Sequence, residues 1–253
     1  MSMATLDLND DAALFADASG DLSPRFHACE NDDTWTRMAA VAIATALRRD
    51  LETRPRARLL LSGGTTPGPV FRALSQIPLD WHRVDIGLVD ERWLLPSDAD
   101  SNAHLVHQHL LRNHAAEAHF ETLTRAGRSI EAAVAAANLH ARQAPGVIVL
   151  GMGDDGHTAS LFPHMAGLEA ALASAHAYVA VDASGCPSAG PWPRRISLTP
   201  TGLATARARL LLLRGVDKRA VYERALAGTD LHDMPIRIAI TTPGAPLDVY
   251  WCS

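Results

Sequence analysis

Residues 146–163, GVIVLGMGDDGHTASLFP, constrain the fold more than any other stretch. Val147-Ile148-Val149-Leu150 is a short apolar, β-branched run bounded by glycines, the pattern of a strand buried on both faces. A polar, glycine-rich turn over 151–157 follows. Thr158-Ala159-Ser160-Leu161-Phe162 is then expected to start a short helix that Pro163 limits. Open α/β sheets place ligands where a strand gives way to such a turn and a helix start. His157 is the one imidazole in the turn, beside Asp154 and Asp155, and is a candidate general base. The same residues also suit an ordinary solvated turn.

The alternation continues along the chain. Strands are expected over 24–29, 57–61, 84–89, 177–181, 195–199 and 210–213, with 236–240 and 249–251 as late strands or their approaches. Asp32 or Asp33 should cap a first helix whose apolar face is Trp35, Met38, Ala39, Ala42, Ile43, Ala46 and Leu47. Pro67 suits the first position of a second helix, and further helices are expected over 102–112, 130–141 and from 215 to about 226. No internal repeat, linker or low-complexity tract interrupts the pattern. Strands alternating with helices imply an α/β fold over residues 1–253 as a single domain. Its sheet should be mostly parallel with helices on both faces, leaving room for a small additional lobe.

Composition narrows the functional classes. A net charge of −5 supplies no global basic field for nucleic acid, so an anionic ligand must be met by local arginines and backbone amides. Cys29, Cys186 and Cys252 are scattered and lack CxxC spacing, which favours a reducing compartment over a disulfide scaffold or zinc ribbon. The acidic N-terminal 21 residues carry no basic segment ahead of an apolar run, so no signal peptide is expected. No apolar run reaches membrane-spanning length, and the expected location is the cytoplasm.

Several constellations can carry chemistry. Ser62-Gly63-Gly64-Thr65-Thr66-Pro67 joins a strand to a helix, and its small residues let backbone N–H groups approach an anion. Read blandly, it is only a tight connection. It is not a nucleotide-binding P-loop, because GxxxxGK[ST] is absent. Arg92 and Arg195 flank predicted strands and can hold a phosphate in one crevice, or serve as surface ion-pair partners. Lys218 is a weaker candidate for the same anion. His104, His107 and His109 lack zincin spacing and read as solvated helix surface, so no metal site is assigned. No GxSxG elbow supports a serine esterase.

SGGTTP, then DERW with a downstream DSN, then GDDGHTASLFP, then RISLT, in that order, resemble the 6-phosphogluconolactonases over about residues 59–218. The resemblance implies a Rossmann-like sheet with its site at the carboxyl edge of the strands. It also implies hydrolysis of 6-phospho-D-glucono-1,5-lactone in the pentose phosphate pathway, with no metal or nucleotide cofactor. The partner is then a small phosphorylated sugar lactone, not nucleic acid or membrane. His157 matches the family's catalytic histidine, and Asp155 the acidic residue two places before it. Ser62, Gly63 and Gly64 match the phosphate-facing turn, which Thr65 continues. Arg195 matches the arginine of the family's RIT-like strand, a phosphate and substrate contact, and Arg92 the arginine of DER, while Asp90 at the neighbouring strand end and Lys218 are binding candidates by position. Two departures are visible: Ser197 where threonine is usual, and His164 where glycine follows LFP. Related deaminases place a glutamate five residues after the histidine; here that position is Phe162. That argues against an isomerase or deaminase. The third reading, a sugar-phosphate sensor, expects a helix-turn-helix module for which the N-terminal stretch leaves no room.

Overall fold

The computed structural model describes residues 23–253; the N-terminal stretch read above for a signal peptide lies outside the described residues. In chain order the elements are β1 (Arg25–Cys29), α1 (Asp32–Thr53), β2 (Ala57–Leu61), α2 (Gly68–Ser75), β3 (Val84–Leu88), β4 (Asp90–Arg92), α3 (Asn102–His109), β5 (His119–Phe120) and α4 (Ile130–His140). They continue as β6 (Val147–Leu150), α5 (Leu168–Leu172), β7 (Tyr178–Asp182), β8 (Arg194–Leu198), α6 (Pro200–Ala204), β9 (Ala208–Arg214), α7 (Val216–Leu226), α8 (Arg237–Thr241) and β10 (Leu247–Cys252).

Seven strands form one parallel sheet in the order β1-β10-β9-β6-β2-β3-β5. Every residue of β2, β3 and β6 is buried, as it must be when both faces of a parallel sheet are covered. Helix α1 packs on β2, β6 and β10, and Trp35 Nε1 donates to Tyr250 O at 3.0 Å. A second sheet, β4-β8-β7, is antiparallel and forms the small additional lobe. The α/β reading therefore holds. Among the described residues no helix is long and apolar enough to cross a membrane.

Four local expectations are corrected. The N-cap of α1 is Asn31, whose side chain accepts from Thr34 N at 2.9 Å, and Asp32 and Asp33 fill the first turn instead. Pro67 is the N-cap of α2 rather than its first residue. Residues 236–240 form no strand: they run into helix α8. Arg237 fixes that geometry by donating to the carbonyls of Ala225, Asp230 and Arg224, so tertiary bonds override the β-branched composition. Residues 158–162 form no helix either. Ala159 adopts φ +50°, Thr158 bridges Leu161, and Thr158 Oγ1 donates to Gly151 O at 2.8 Å, so the chain reverses in a tight turn.

Candidate active site

Strand β6 delivers the chain to the carboxyl edge of the sheet, where residues 151–157 fold onto themselves. Gly153 N donates to His157 O at 2.9 Å, and Gly156 takes φ +83°, a conformation that favours glycine. Asp155 Oδ1 accepts from His157 N at 3.0 Å and pairs with His157 Nδ1 at 2.6 Å. Burial works against the Asp155 charge. The hydrogen bond and charge of His157, its N–H and the Ser188 hydroxyl outweigh that, holding the carboxyl well below the usual range. An ionised carboxylate only accepts, so Nδ1 carries a proton, and the tautomer of the neutral ring that this selects has its lone pair on Nε2. His157 lines a cleft of about 530 Å³, and the dyad can take a proton there.

The turn after β2 forms a second wall. Ser62 N donates to Val149 O at 3.0 Å, continuing the sheet, and the buried Ser62 Oγ has no partner. Glycine is required at 63: a Cβ there would stand 1.8 Å from Asn102 Oδ1. The Asn102 amide is thereby free to donate to Asp90 O at 2.8 Å and Asp90 Oδ1 at 3.2 Å. Ser62, Gly63, Gly64 and Thr65 all face the cleft.

The small sheet brings the arginines in. β4 pairs with β8 so that Asp90 opposes Ser197 and Arg92 opposes Arg195, and Asp90, Arg92 and Arg195 line the same cleft. Arg195 is buried, donating to Trp192 O at 2.8 Å and Ala189 O at 2.6 Å, with its third nitrogen 3.9 Å from Asp90 Oδ2. Arg92 donates to Asp100 O, and its Nε has no partner. Lys218 also lines the cleft, but its ammonium is tied to Met152 O at 2.7 Å and Asp154 Oδ1 at 2.8 Å, bracing the histidine turn.

Of the two departures from the family pattern, the serine finds an explanation and the histidine does not. The Ser197 hydroxyl accepts from Ser160 N at 3.1 Å, so the needed oxygen is kept. His164 takes φ +54°, the backbone region for which glycine is suited. Sequence motifs do not mark Ser160, whose hydroxyl donates to Asp90 Oδ2 at 2.5 Å, or Ser188, whose side chain hydrogen-bonds Asp155. Asn102 and Arg214 also lie on the cleft wall. The DSN motif carried a signal for Asn102; nothing local marked the others. The helix histidines take other partners, His104 Nε2 with Gln108 at 2.6 Å and His109 Nδ1 with Arg72 at 2.9 Å. Among the described residues one group has metal-ligand spacing, Asp85, His119 and Glu121, away from the cleft. Arg56 and Arg58 already neutralise its carboxylates, at 2.7 and 2.6 Å.

A family model described as glucosamine-6-phosphate isomerases/6-phosphogluconolactonase matches residues 30–251. The chain is 51% identical over 221 residues to a 6-phosphogluconolactonase of Xylella fastidiosa, covering 87% of this chain and 92% of that protein. It is 41% identical over 224 residues to one from Pseudomonas aeruginosa, covering 85% and 89%. The crystal structure of a 6-phosphogluconolactonase from Shewanella baltica superposes with a TM-score of 0.84 at 36% identity, covering 91% of this chain and 98% of that one.

Proposed function

The chain belongs to the family of glucosamine-6-phosphate isomerases and 6-phosphogluconolactonases, and from that premise we propose that it hydrolyses 6-phospho-D-glucono-1,5-lactone to 6-phospho-D-gluconate in the pentose phosphate pathway. The observation that carries the mechanism is the Asp155–His157 pair at 2.6 Å, set in a cleft that also holds arginines and a glycine-rich turn. His157 Nε2 takes a proton from water as the water oxygen bonds to the lactone carbonyl carbon. The carbonyl electrons move onto oxygen, where backbone N–H groups or a guanidinium can meet the charge. They return as the ring C–O bond breaks, and the departing alkoxide takes the proton from the imidazolium. Asp155 holds the ring in the tautomer this requires. No carbon-bound proton moves, so one base and a held phosphate suffice.

The substrate phosphate is assigned to the turn 62–65 with Arg92, Arg195 and Lys218. Lys218 and Arg195 are engaged within the protein, so this assignment requires them to exchange partners as substrate binds. We place the enzyme in the cytoplasm. Its three cysteines are free, and burial raises the thiols of Cys29 and Cys252, the latter to about 11, so both stay protonated.

The test is an assay with freshly generated 6-phosphogluconolactone, corrected for spontaneous hydrolysis. His157→Ala should lower kcat by about 10²-fold or more with an unchanged circular dichroism spectrum. A folded variant with near wild-type turnover would remove His157 from the mechanism. A wild-type protein no faster than background would remove the activity.

A further inference from the structure

The reversal that replaces the expected helix at 158–162 has a chemical consequence. On a helix, residues five apart do not stack on one face. Here the tight turn folds the chain back, and the Phe162 ring lies against the His157 imidazole, with centroids 4.4 Å apart and planes inclined by 36°. The same ring receives the Arg195 guanidinium, whose central carbon lies 5.2 Å from its centroid. Phe162 is completely buried, so its contacts are with fixed neighbours and not with solvent.

We propose that Phe162 is a positioning residue for the hydrolysis: its ring sets the imidazole relative to Arg195 and stabilises the imidazolium formed when His157 takes the proton of water. This rests on the reading of His157 as the base. An aromatic face carries negative charge density and attracts cations, so it favours His157 more after protonation than before. An apolar spacer of the same size would hold the ring and leave that preference out. Arg195 Nε is held by Trp192 O whichever partners its outer nitrogens take, so the effect falls mainly on turnover and little on substrate binding.

Other charged groups around the base stay constant in the test. They are Asp155 in its own turn, the Asp154–Lys218 pair from α7, and Arg195 with Asp90 and Arg92 from the small sheet. Arg214 at the end of β9, paired with Asp32, and the Cys186 thiol in the field of Asp155 complete the set.

Site-specific replacement of Phe162 by 4-fluoro- and then 3,4,5-trifluorophenylalanine drains charge from the ring face with little change of shape. The acid limb of kcat/KM should move stepwise to lower pH, by about half a pH unit across the series, because a less stabilised imidazolium releases its proton sooner. Phe162→Leu should lower kcat about threefold to tenfold with KM within about twofold of wild type. An acid limb that stays in place across a folded fluorinated series overturns the proposal, whatever the leucine variant does. If His157→Ala retains activity, the base itself is misassigned. If His157→Ala is inactive while the fluorinated enzymes keep the wild-type limb, only the role of Phe162 falls.

Discussion

A methyl group added at Gly153 would lie 2.1 Å from His157 Nδ1 and 2.5 Å from Asp155 Oδ1. The glycine is therefore what lets the carboxylate and imidazole close on each other across their own turn. Gly153 has no left-handed backbone angle, so alanine is permitted there by conformation and refused only by the dyad. Gly153→Ala should lower kcat by about 10- to 100-fold, the scale of effect seen when a reacting group shifts by about an ångström, with KM and Tm nearly unchanged. Steady-state kinetics and thermal unfolding on one preparation check it; a variant with normal turnover would mean the dyad tolerates displacement. This pairing was legible in sequence because Asp155 and His157 are two residues apart and the turn between them is local. Asp90, Ser160 and Arg195 come together over separations of 70 and 35 residues, which no local pattern encodes.

Strand β4 shows how an element is tied to its neighbour by one buried group. Glu91 is fully buried and accepts from Arg92 N at 2.9 Å, Asn102 N at 2.8 Å and Ala103 N at 2.8 Å, so it caps the start of α3 from another strand. Burial pushes its carboxyl up to about 7 from an ordinary 4.5; the Asn102, Ala103 and Arg92 N–H groups resist this, and the nearby Asp90 charge adds to it. Below pH 4.5 the group is protonated whether the chain is folded or unfolded. Between there and about 7 only the unfolded chain loses the proton, so rising pH favours unfolding, by up to about 1.4 kcal/mol per pH unit. Glu91→Gln removes that titration at the cost of one acceptor. Urea denaturation should therefore show wild type losing stability relative to the variant across that window. A constant difference would mean the N–H donors keep the carboxylate ionised. Strands β2, β3, β6 and β9 of the main sheet were legible because each is a largely apolar run that a turn follows, whereas the two-residue β5 carries too short a pattern to be read. The partner of β4 was not, because a three-residue strand pairs with one about a hundred residues later, and α8 was not, because the donors of Arg237 impose a helix on a β-branched run.

The molecule as a whole is acidic, yet four cationic side chains, Arg92, Arg195, Arg214 and Lys218, line the cleft beside His157 against two carboxylates, Asp90 and Asp154. The parallel sheet supplies Arg214 from the end of β9, α7 supplies Lys218, and the small sheet supplies the other two. A phosphorylated lactone approaching the protein meets net repulsion at long range and attraction near the cleft, where low-dielectric walls strengthen the local field. Salt screens exposed charges beyond about 10 Å at 0.1 M, so the near-field attraction weakens as ionic strength rises. The kcat/KM for 6-phosphogluconolactone should fall severalfold between about 20 and 500 mM sodium chloride. Unphosphorylated gluconolactone lacks the dianion, so its kcat/KM should be both lower and nearly independent of salt. Each value is taken after subtracting spontaneous hydrolysis at the same salt concentration, because the uncatalysed rate enters both. Parallel salt responses for the two lactones would show that the cations serve the fold and not the substrate phosphate. A steep response confined to the phosphorylated lactone, reduced in Arg92→Ala, would assign the field to the cleft.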